Sequence, residues 1–407
     1  MVNVCVLLDA FDHISGISTT YKSQLHLAQQ AGINLTVIAP TAHGQPARRE
    51  AIDGSTLARV GARFSLHLPV DKSIRLDLPD RAQFERTIAD SQPDILQVVT
   101  PGPVGMIGAR LAKSLGVPLV GYFHTDYLSM QTPQVLQVMY PNPVLRYGAS
   151  TVMQTYNRIS ERITYAKCEV VCCEAEKIAD GIRARQLNPN PLVVPATLRH
   201  DLDPTQADPD AFMRRFQLPA DRPRVLYVGR FGLDKNIQLV AELARRCPEF
   251  HFVAVGGGPL QHVIEGIPNV TITGWLQGAD LWSAYAASTV FLMPSWNETF
   301  GLVSLEAMAM GLPVITANTA GSAPDVLAAD AGAAFALDDH DGLINLLRGL
   351  IADSARMAQM KANALAWYAR NHPAERYRRF AEMAYQPLVR RESSSLAQNS
   401  VTDMMNP

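Results

Sequence analysis

The sequence predicts an α/β protein of two doubly wound domains, each with a parallel sheet covered on both faces. Three observations predict it. Short apolar runs rich in β-branched residues alternate with longer helical patterns along the whole chain. The alternation runs twice, on either side of the Asp- and Pro-rich stretch 199–223, which reads as a linker. A chain of 407 residues, 47 % of them apolar, is too long for one ordinary α/β core and sufficient for two.

The strand candidates of the first half are 2–10, 33–40, 94–100, 117–124 and 168–175, with helix candidates at 17–31, 103–115 and 148–166. Those of the second half are 224–230, 250–257, 270–275, 289–295 and 312–318. Two Rossmann-like domains facing across a cleft follow, and ligands in such folds bind beyond the carboxyl ends of the strands. The expected boundaries are 1–200 for the N-terminal domain and 201–375 for the C-terminal one. A helix at 376–390 is expected to cross back to the N-terminal domain. The polar, patternless tail 391–407 is expected to be disordered.

Composition narrows the function. A net charge of −2 with 18 % charged residues lacks the basic footprint of a nucleic-acid binder. The five cysteines have no disulfide spacing, and Cys168, Cys172 and Cys173 lie in an apolar run that reads as a buried strand rather than a metal site. MVNVCVLLDA at the N-terminus has no basic leader, and no apolar run reaches the ~20 residues that span a bilayer. A cytoplasmic protein, soluble or peripheral at a membrane face, is expected.

The chemistry-bearing residues follow strands. In NETFGLVSLEAMAMGLPVITAN (297–318), Glu298 occupies the loop after a strand, and Glu306 lies on the next helix. Two carboxylates there suit vicinal hydroxyls of a sugar or ribose. The N–H groups of Phe300, Gly301 and Leu302 at the helix start suit a phosphate. The competing reading is a solvated Glu on an amphipathic helix, but small apolar neighbours argue that Glu306 is buried and needs a partner. Arg230 and Lys235, in VGRFGLDKN, stand just past another strand, where two cations can hold and neutralise a diphosphate. VGGGPL (255–260) offers Gly257 and Gly258 for close backbone approach, without the spacing of a dinucleotide fingerprint. Ser15 and Gly16 open a helix after the first strand. His124, in YFHTDYL, ends the fourth strand and is expected to face the cleft.

The run from Glu298 through Val314 resembles the Glu-x7-Glu signature of the retaining glycosyltransferases with the GT-B fold, especially glycosyltransferase family four. The resemblance covers nearly the whole chain. It implies that Glu298 touches donor-sugar hydroxyls and Glu306 the ribose, that Arg230 and Lys235 clamp the diphosphate, and that His124 touches the sugar near the reacting carbon. It also implies that Gly16 contacts the diphosphate through its backbone; Ser15 stands where many members carry a second glycine. Trp275 and Leu276 resemble the segment beside the nucleobase, with a plain core role as the alternative for Trp275.

The implied reaction is transfer of a hexosyl group from a nucleotide-diphosphate sugar, UDP-linked first and GDP-mannose second, to an acceptor hydroxyl on the N-terminal side. No cofactor and no metal are expected, and the Asp-x-Asp pairs at 201–203 and 208–210 read as solvated. The segments around Gly16, Pro-Gly-Pro at 101–103 and His124–Tyr127 resemble the branch that glycosylates diacylglycerol and related membrane lipids, including sulfoquinovosyl transferases. The stretch 140–167 mixes Tyr140, Leu145, Tyr147, Met153 and Tyr156 with Arg146, Arg158, Arg162 and Lys167. It reads as a helix facing an anionic membrane or as an ordinary surface helix. The acceptor is a lipid or a saccharide. A nucleotide-sugar epimerase, a Rossmann oxidoreductase and a non-catalytic nucleotide-sugar binder are the alternatives; the missing G-x-G-x-x-G opposes the second, and the combined set of charged residues opposes the third.

Overall fold

A computed structural model describes residues 1–390 apart from 10, 13–14, 69–70, 127, 129–135 and 137–139. The expected tail 391–407 lies outside the described residues, as do His13, Ile14 and Tyr127. The chain forms two compact units. The first comprises Met1–His200 and the segment from Pro373, and the second comprises Asp201–His372.

In the first unit the elements run β1 (Val2–Leu7), α1 (Gly16–Leu27), β2 (Ile33–Pro40), β3 (Arg48–Ile52), β4 (Ser55–Val60), β5 (Ala62–Leu68), β6 (Asp71–Pro79), α2 (Arg81–Asp90), β7 (Ile95–Val98), α3 (Pro103–Leu115), β8 (Leu119–Tyr122), α4 (Pro143–Tyr165), β9 (Val170–Cys173), α5 (Glu176–Ala184) and β10 (Leu192–Val193). An eight-stranded sheet has the order β10-β9-β8-β7-β1-β2-β4-β3. All its pairs are parallel except the edge pair β3–β4. That antiparallel edge and the separate hairpin β5–β6 depart from the all-parallel expectation. Residues 41–80 lack a continuous apolar run, because edge strands and hairpins expose one face.

The second unit contains α6 (Pro209–Arg215), β11 (Arg224–Val228), α7 (Ile237–Arg246), β12 (His251–Val255), β13 (Val270–Gly274), α8 (Gly278–Ala286), β14 (Val290–Met293), α9 (Leu302–Ala309), β15 (Val314–Ala317), α10 (Ala323–Ala328), β16 (Gly332–Phe335), α11 (His340–Ala352) and α12 (Ser354–Arg370). Its six strands, in the order β13-β12-β11-β14-β15-β16, are all parallel. The stretch 199–223 is not a bare linker. It holds α6, whose Phe212 is buried, and Asp203 and Asp208 cap helical turns by accepting from Thr205 N and Ala211 N.

Helix α13 (Pro373–Ala384) belongs to the first unit. Its Tyr377, Phe380, Ala381 and Ala384, with Tyr385 and Leu388 beyond it, are buried in one cluster with Val4, Val6, Tyr21 and Val37. All five cysteines are buried and free. Cys172 and Cys173 enter different clusters on the two faces of the sheet, as successive strand residues must.

Both sheets reverse their winding direction at one point, β7–β1 in the first unit and β11–β14 in the second. In the first, Asp9 bridges the two strand-end loops: Thr100 Oγ1 donates to Oδ2 at 2.5 Å and Val104 N to Oδ1 at 2.9 Å. Burial nevertheless raises the Asp9 pKa from 3.8 to about 6. Because the folded state binds this proton more tightly than the unfolded chain, its stabilisation is complete below about pH 4 and lost as pH rises through 6. Asp9→Asn should therefore flatten the pH dependence of unfolding across that window, by about 3 kcal/mol at its upper end, as measured by urea titration.

Candidate functional site

Four loops stand at the carboxyl edge of the second sheet, and a Lys–Glu contact falls at its winding reversal. The loop after β11 carries Arg230, Asp234 and Lys235, and the loop after the adjacent β14 carries Glu298. Lys235 Nζ lies 2.5 Å from Glu298 Oε2 and 3.9 Å from Asp234 Oδ2. Arg230 Nη2 donates to Asp234 Oδ1 at 2.8 Å. Asp234 is buried and faces both cations, one with each carboxylate oxygen. Burial pulls the Lys235 ammonium toward neutrality, but Glu298 and Asp234 outweigh it and leave its pKa above the ordinary lysine value. Lys235 is therefore a permanent cation, with side chain one-quarter exposed.

Backbone ties hold these loops. Trp296 Nε1 donates to Leu233 O at 2.8 Å and Asn236 Nδ2 to Pro294 O at 3.2 Å. Gly301, at φ +96°, turns the chain into α9, and a Cβ there would lie 2.6 Å from Met293 Cε. Phe300 is buried and accepts from Ser322 N at 2.7 Å, so its ring belongs to the core and only its backbone is available at the edge. Leu302 opens α9 and is half-buried. Glu306, one turn into the helix, is buried, and Tyr285 Oη donates to its Oε2 at 3.0 Å. The partner that a buried carboxylate requires is thus a tyrosine on α8.

Gly256, Gly257 and Gly258 follow β12. The structure gives two of them packing reasons. A Cβ on Gly256 would meet Gly229 O at 2.0 Å, and one on Gly258 would meet the Phe231 backbone at 2.7 Å. Gly257 accepts from Phe231 N at 2.9 Å, and a Cβ on it would lie 3.2 Å from Trp275 Nε1, so the indole edge rests over Gly257. Trp275 is 49 % exposed, which removes the plain core reading; Leu276 beside it is half-buried.

In the first unit, Ser15 Oγ accepts from Ser18 N and so caps α1, leaving Gly16 exposed at the first helical position. His124 follows β8 and is buried. Its ring stacks on Tyr122 at 3.8 Å, its Nε2 stands 3.1 Å from Tyr21 Oη, and its Nδ1 stands 3.6 Å from Glu174 Oε1. Burial lowers its pKa to about 3, so the imidazole is neutral. The arrangement thus comprises a set in each unit: Gly16 and His124 in the first, the other eleven candidate residues in the second.

Sequence reasoning missed Asp234, Tyr285, Glu174 and Tyr21. Asp234 and Glu174 carry a readable signal, a carboxylate just past a parallel strand. Tyr285 sits 21 residues before Glu306 on another helix, and no local pattern connects them. Among the described residues no group of three or more His, Cys, Asp or Glu side chains is placed to hold a metal, and no helix is long and apolar enough to cross a membrane.

Helix α4 has inverted polarity. Ser150, Asn157, Ser160, Glu161 and Thr164 face inward, while Val144, Leu145, Tyr147, Val152, Tyr156 and Ile159 are exposed. Arg158, Arg162 and Lys167 are exposed beside them, and Arg146 is half-buried.

The profile of the Glycosyl transferases group 1 family matches residues 208–367, and that of Glycosyltransferase Family 4 matches residues 14–195. The chain is a GT-B glycosyltransferase, group 1 in its C-terminal half and family 4 in its N-terminal half. This glycosyltransferase is 29 % identical over 353 residues to a sulfoquinovosyl transferase of Arabidopsis thaliana, covering 84 % of this chain and 65 % of that protein, slightly under two thirds of its length. It is 28 % identical over 334 residues to a GDP-mannose-dependent alpha-mannosyltransferase of Mycolicibacterium smegmatis, covering 79 % and 80 % of the two chains. The structure of sucrose-phosphate synthase from Thermosynechococcus elongatus superposes with a TM-score of 0.68 at 19 % identity, over 99 % of this chain and 100 % of that one, which shows the shared fold.

Proposed function

We propose that this glycosyltransferase is retaining and metal-independent, takes a hexosyl group from a UDP-sugar, with GDP-mannose as the second donor, and delivers it to a hydroxyl of a membrane glycerolipid. The observation that carries the donor reading is the Lys235–Glu298 pair at the winding reversal of the second sheet, with Arg230 beside it. Negative charge develops on the leaving diphosphate as the sugar–oxygen bond breaks. Lys235 and Arg230 stabilise it, together with the N–H groups of Gly301 and Leu302. Glu298, paired with Lys235, accepts from sugar hydroxyls, and Glu306, fixed by Tyr285, accepts from the ribose. Gly257, Gly258, Trp275 and Leu276 line the nucleotide; in the first unit, Gly16 is assigned to the diphosphate and His124 to the sugar by the family resemblance. The acceptor hydroxyl oxygen bonds to the anomeric carbon on the face the diphosphate leaves, and the diphosphate takes the hydroxyl proton, so neither a protein base nor a protein nucleophile is needed.

The lipid reading rests on the outward apolar face of α4 with its exposed cations. Each Lys or Arg near an anionic surface contributes about 1 kcal/mol. Salt-sensitive, peripheral attachment at the cytoplasmic face follows. The test couples a thermal-shift screen of UDP-sugars and GDP-mannose to vesicle flotation and a transfer assay with diacylglycerol. The expected result is stabilisation by one donor, weakened in Glu306→Gln by about 10- to 150-fold in affinity. Flotation should occur with anionic vesicles, be lost in high salt, and be reduced in Val152→Asp. The anomeric configuration of the product should equal that of the donor. Transfer to soluble saccharides alone, with no flotation on either vesicle type, would overturn the lipid assignment and leave the donor assignment standing.

A further inference from the structure

A row of polar side chains runs through the apolar layer between the first sheet and helices α1 and α13, and it ends at His124. Tyr385 Oη donates to Gln97 Oε1 at 2.5 Å, and Gln97 Nε2 donates to Tyr21 Oη at 2.7 Å. Tyr21 Oη stands 3.1 Å from His124 Nε2. On the far side of the ring, Nδ1 stands 3.6 Å from Glu174 Oε1, which accepts from Tyr122 Oη at 3.1 Å. Tyr21, Gln97, Tyr122, His124 and Tyr385 are all buried. Tyr377 and Cys172 are the other titratable groups near Tyr21 in this layer.

Donor and acceptor chemistry gives the row a direction. A tyrosine hydroxyl has one proton, and the Tyr385 proton is used on Gln97 Oε1. The Gln97 amide then presents N–H to Tyr21, so the Tyr21 oxygen is an acceptor there and its own proton points to His124 Nε2. A nitrogen that accepts carries no proton, so the neutral ring bears its proton on Nδ1, facing the Glu174 carboxylate. At 3.6 Å that carboxylate polarises the N–H without closing a direct hydrogen bond on it, which leaves Nδ1–H to be donated to a sugar hydroxyl oxygen.

We propose that Tyr385, Gln97 and Tyr21 form a one-way hydrogen-bond chain that, with the Glu174 carboxylate facing the opposite ring nitrogen, fixes His124 as the Nδ1–H tautomer in one ring plane, so that the segment returning after the second unit positions a site residue of the first. This rests on the reading that His124 faces the donor sugar. In it His124 is a hydrogen-bond donor and not a base, and Tyr385, 261 residues downstream, is a positioning residue. The geometry suits that part: Tyr122 stacking sets the plane at 4° between rings, and the chain reaches the ring through Tyr21 on α1, itself held by Gln97 on β7.

The experiment is 15N NMR of the histidine-labelled full chain, with the His124 signals assigned by their absence in His124→Asn. The expected spectrum has a pyrrole-type Nδ1 and a pyridine-type Nε2 that stays neutral at pH 6. Tyr21→Phe should shift the population toward Nε2–H. Tyr385→Phe should do so partially and should lower kcat by about three- to tenfold with donor KM unchanged. Tyr21→Phe and Tyr385→Phe keep the test open if Glu174→Gln fails to fold. A wild-type Nε2–H ring, an imidazolium at pH 6, or an unchanged tautomer in Tyr21→Phe overturns the proposal. Wild-type turnover in His124→Ala would instead remove His124 from the donor site, and the tautomer measurement would remain readable on its own.

Discussion

Lys235→Ala is expected to lower turnover by about 100- to 1000-fold, the loss typical of one charge-stabilising donor aimed at a developing anion. The reason is its place: its ammonium is kept charged by Glu298 and Asp234, and it projects from the loop after β11 where the sheet reverses. Arg230→Ala should have a smaller effect of the same sign, because Arg230 is more exposed and reaches the site beside Asp234. Neither cation lies in a core cluster, so the fold should survive. Removing Lys235 leaves Glu298 with only 15 % side-chain exposure and no cation at 2.5 Å, which should cost about 1–2 kcal/mol of unfolding free energy. Single-turnover kinetics with a saturating donor separates the two effects. Turnover within threefold of wild type in both variants would remove the clamp from the mechanism.

Gly256→Ala should destabilise the second unit by about 3–5 kcal/mol, among the largest effects of any single methyl addition. Gly256 sits at φ +132°, and its new Cβ would stand 2.0 Å from Gly229 O, a backbone atom that cannot swing aside. The two loops that must part carry Arg230 on one side and Gly257 on the other, so donor affinity should fall together with stability. Gly349→Ala is the matched control: it lies inside α11 with open space around the added methyl, and should be neutral or stabilising by about 0.5–1 kcal/mol. Denaturant unfolding of the two variants tests the contrast. Equal midpoints would show that the Gly229 loop yields freely.

The second sheet was readable because its central strands are buried on both faces. RVLYV, HFVAV and VFLM are continuous apolar runs that need no partner to be recognised. Candidate residues just past them could be placed at the carboxyl edge by position alone, and Arg230, Lys235 and Glu298 do meet there. The β3–β6 region was not readable, since the exposed strand Arg48–Ile52 carries charges on a solvated edge and has no apolar run. Helix α6 was concealed by the Asp and Pro residues that turned out to cap and start it.

Local periodicity set the fold class, the apolar faces of the sheets and the charged residues that follow strands, because long apolar runs have few other places to go. The partners of those residues are fixed by packing between distant segments. Tyr285 holding Glu306, the glycines after β12 making room for the neighbouring loop, and the chain from Tyr385 to His124 join residues far apart in sequence. Helix α4 makes the same point in reverse. Its composition looks like any amphipathic helix, and only packing reveals that Ser150, Asn157, Ser160, Glu161 and Thr164 face inward while six of its apolar residues face outward beside its arginines. The physical reason is that hydrophobic pattern acts along a segment, whereas hydrogen bonds and close contacts act across space, and their geometry exists only once the sheets have stacked.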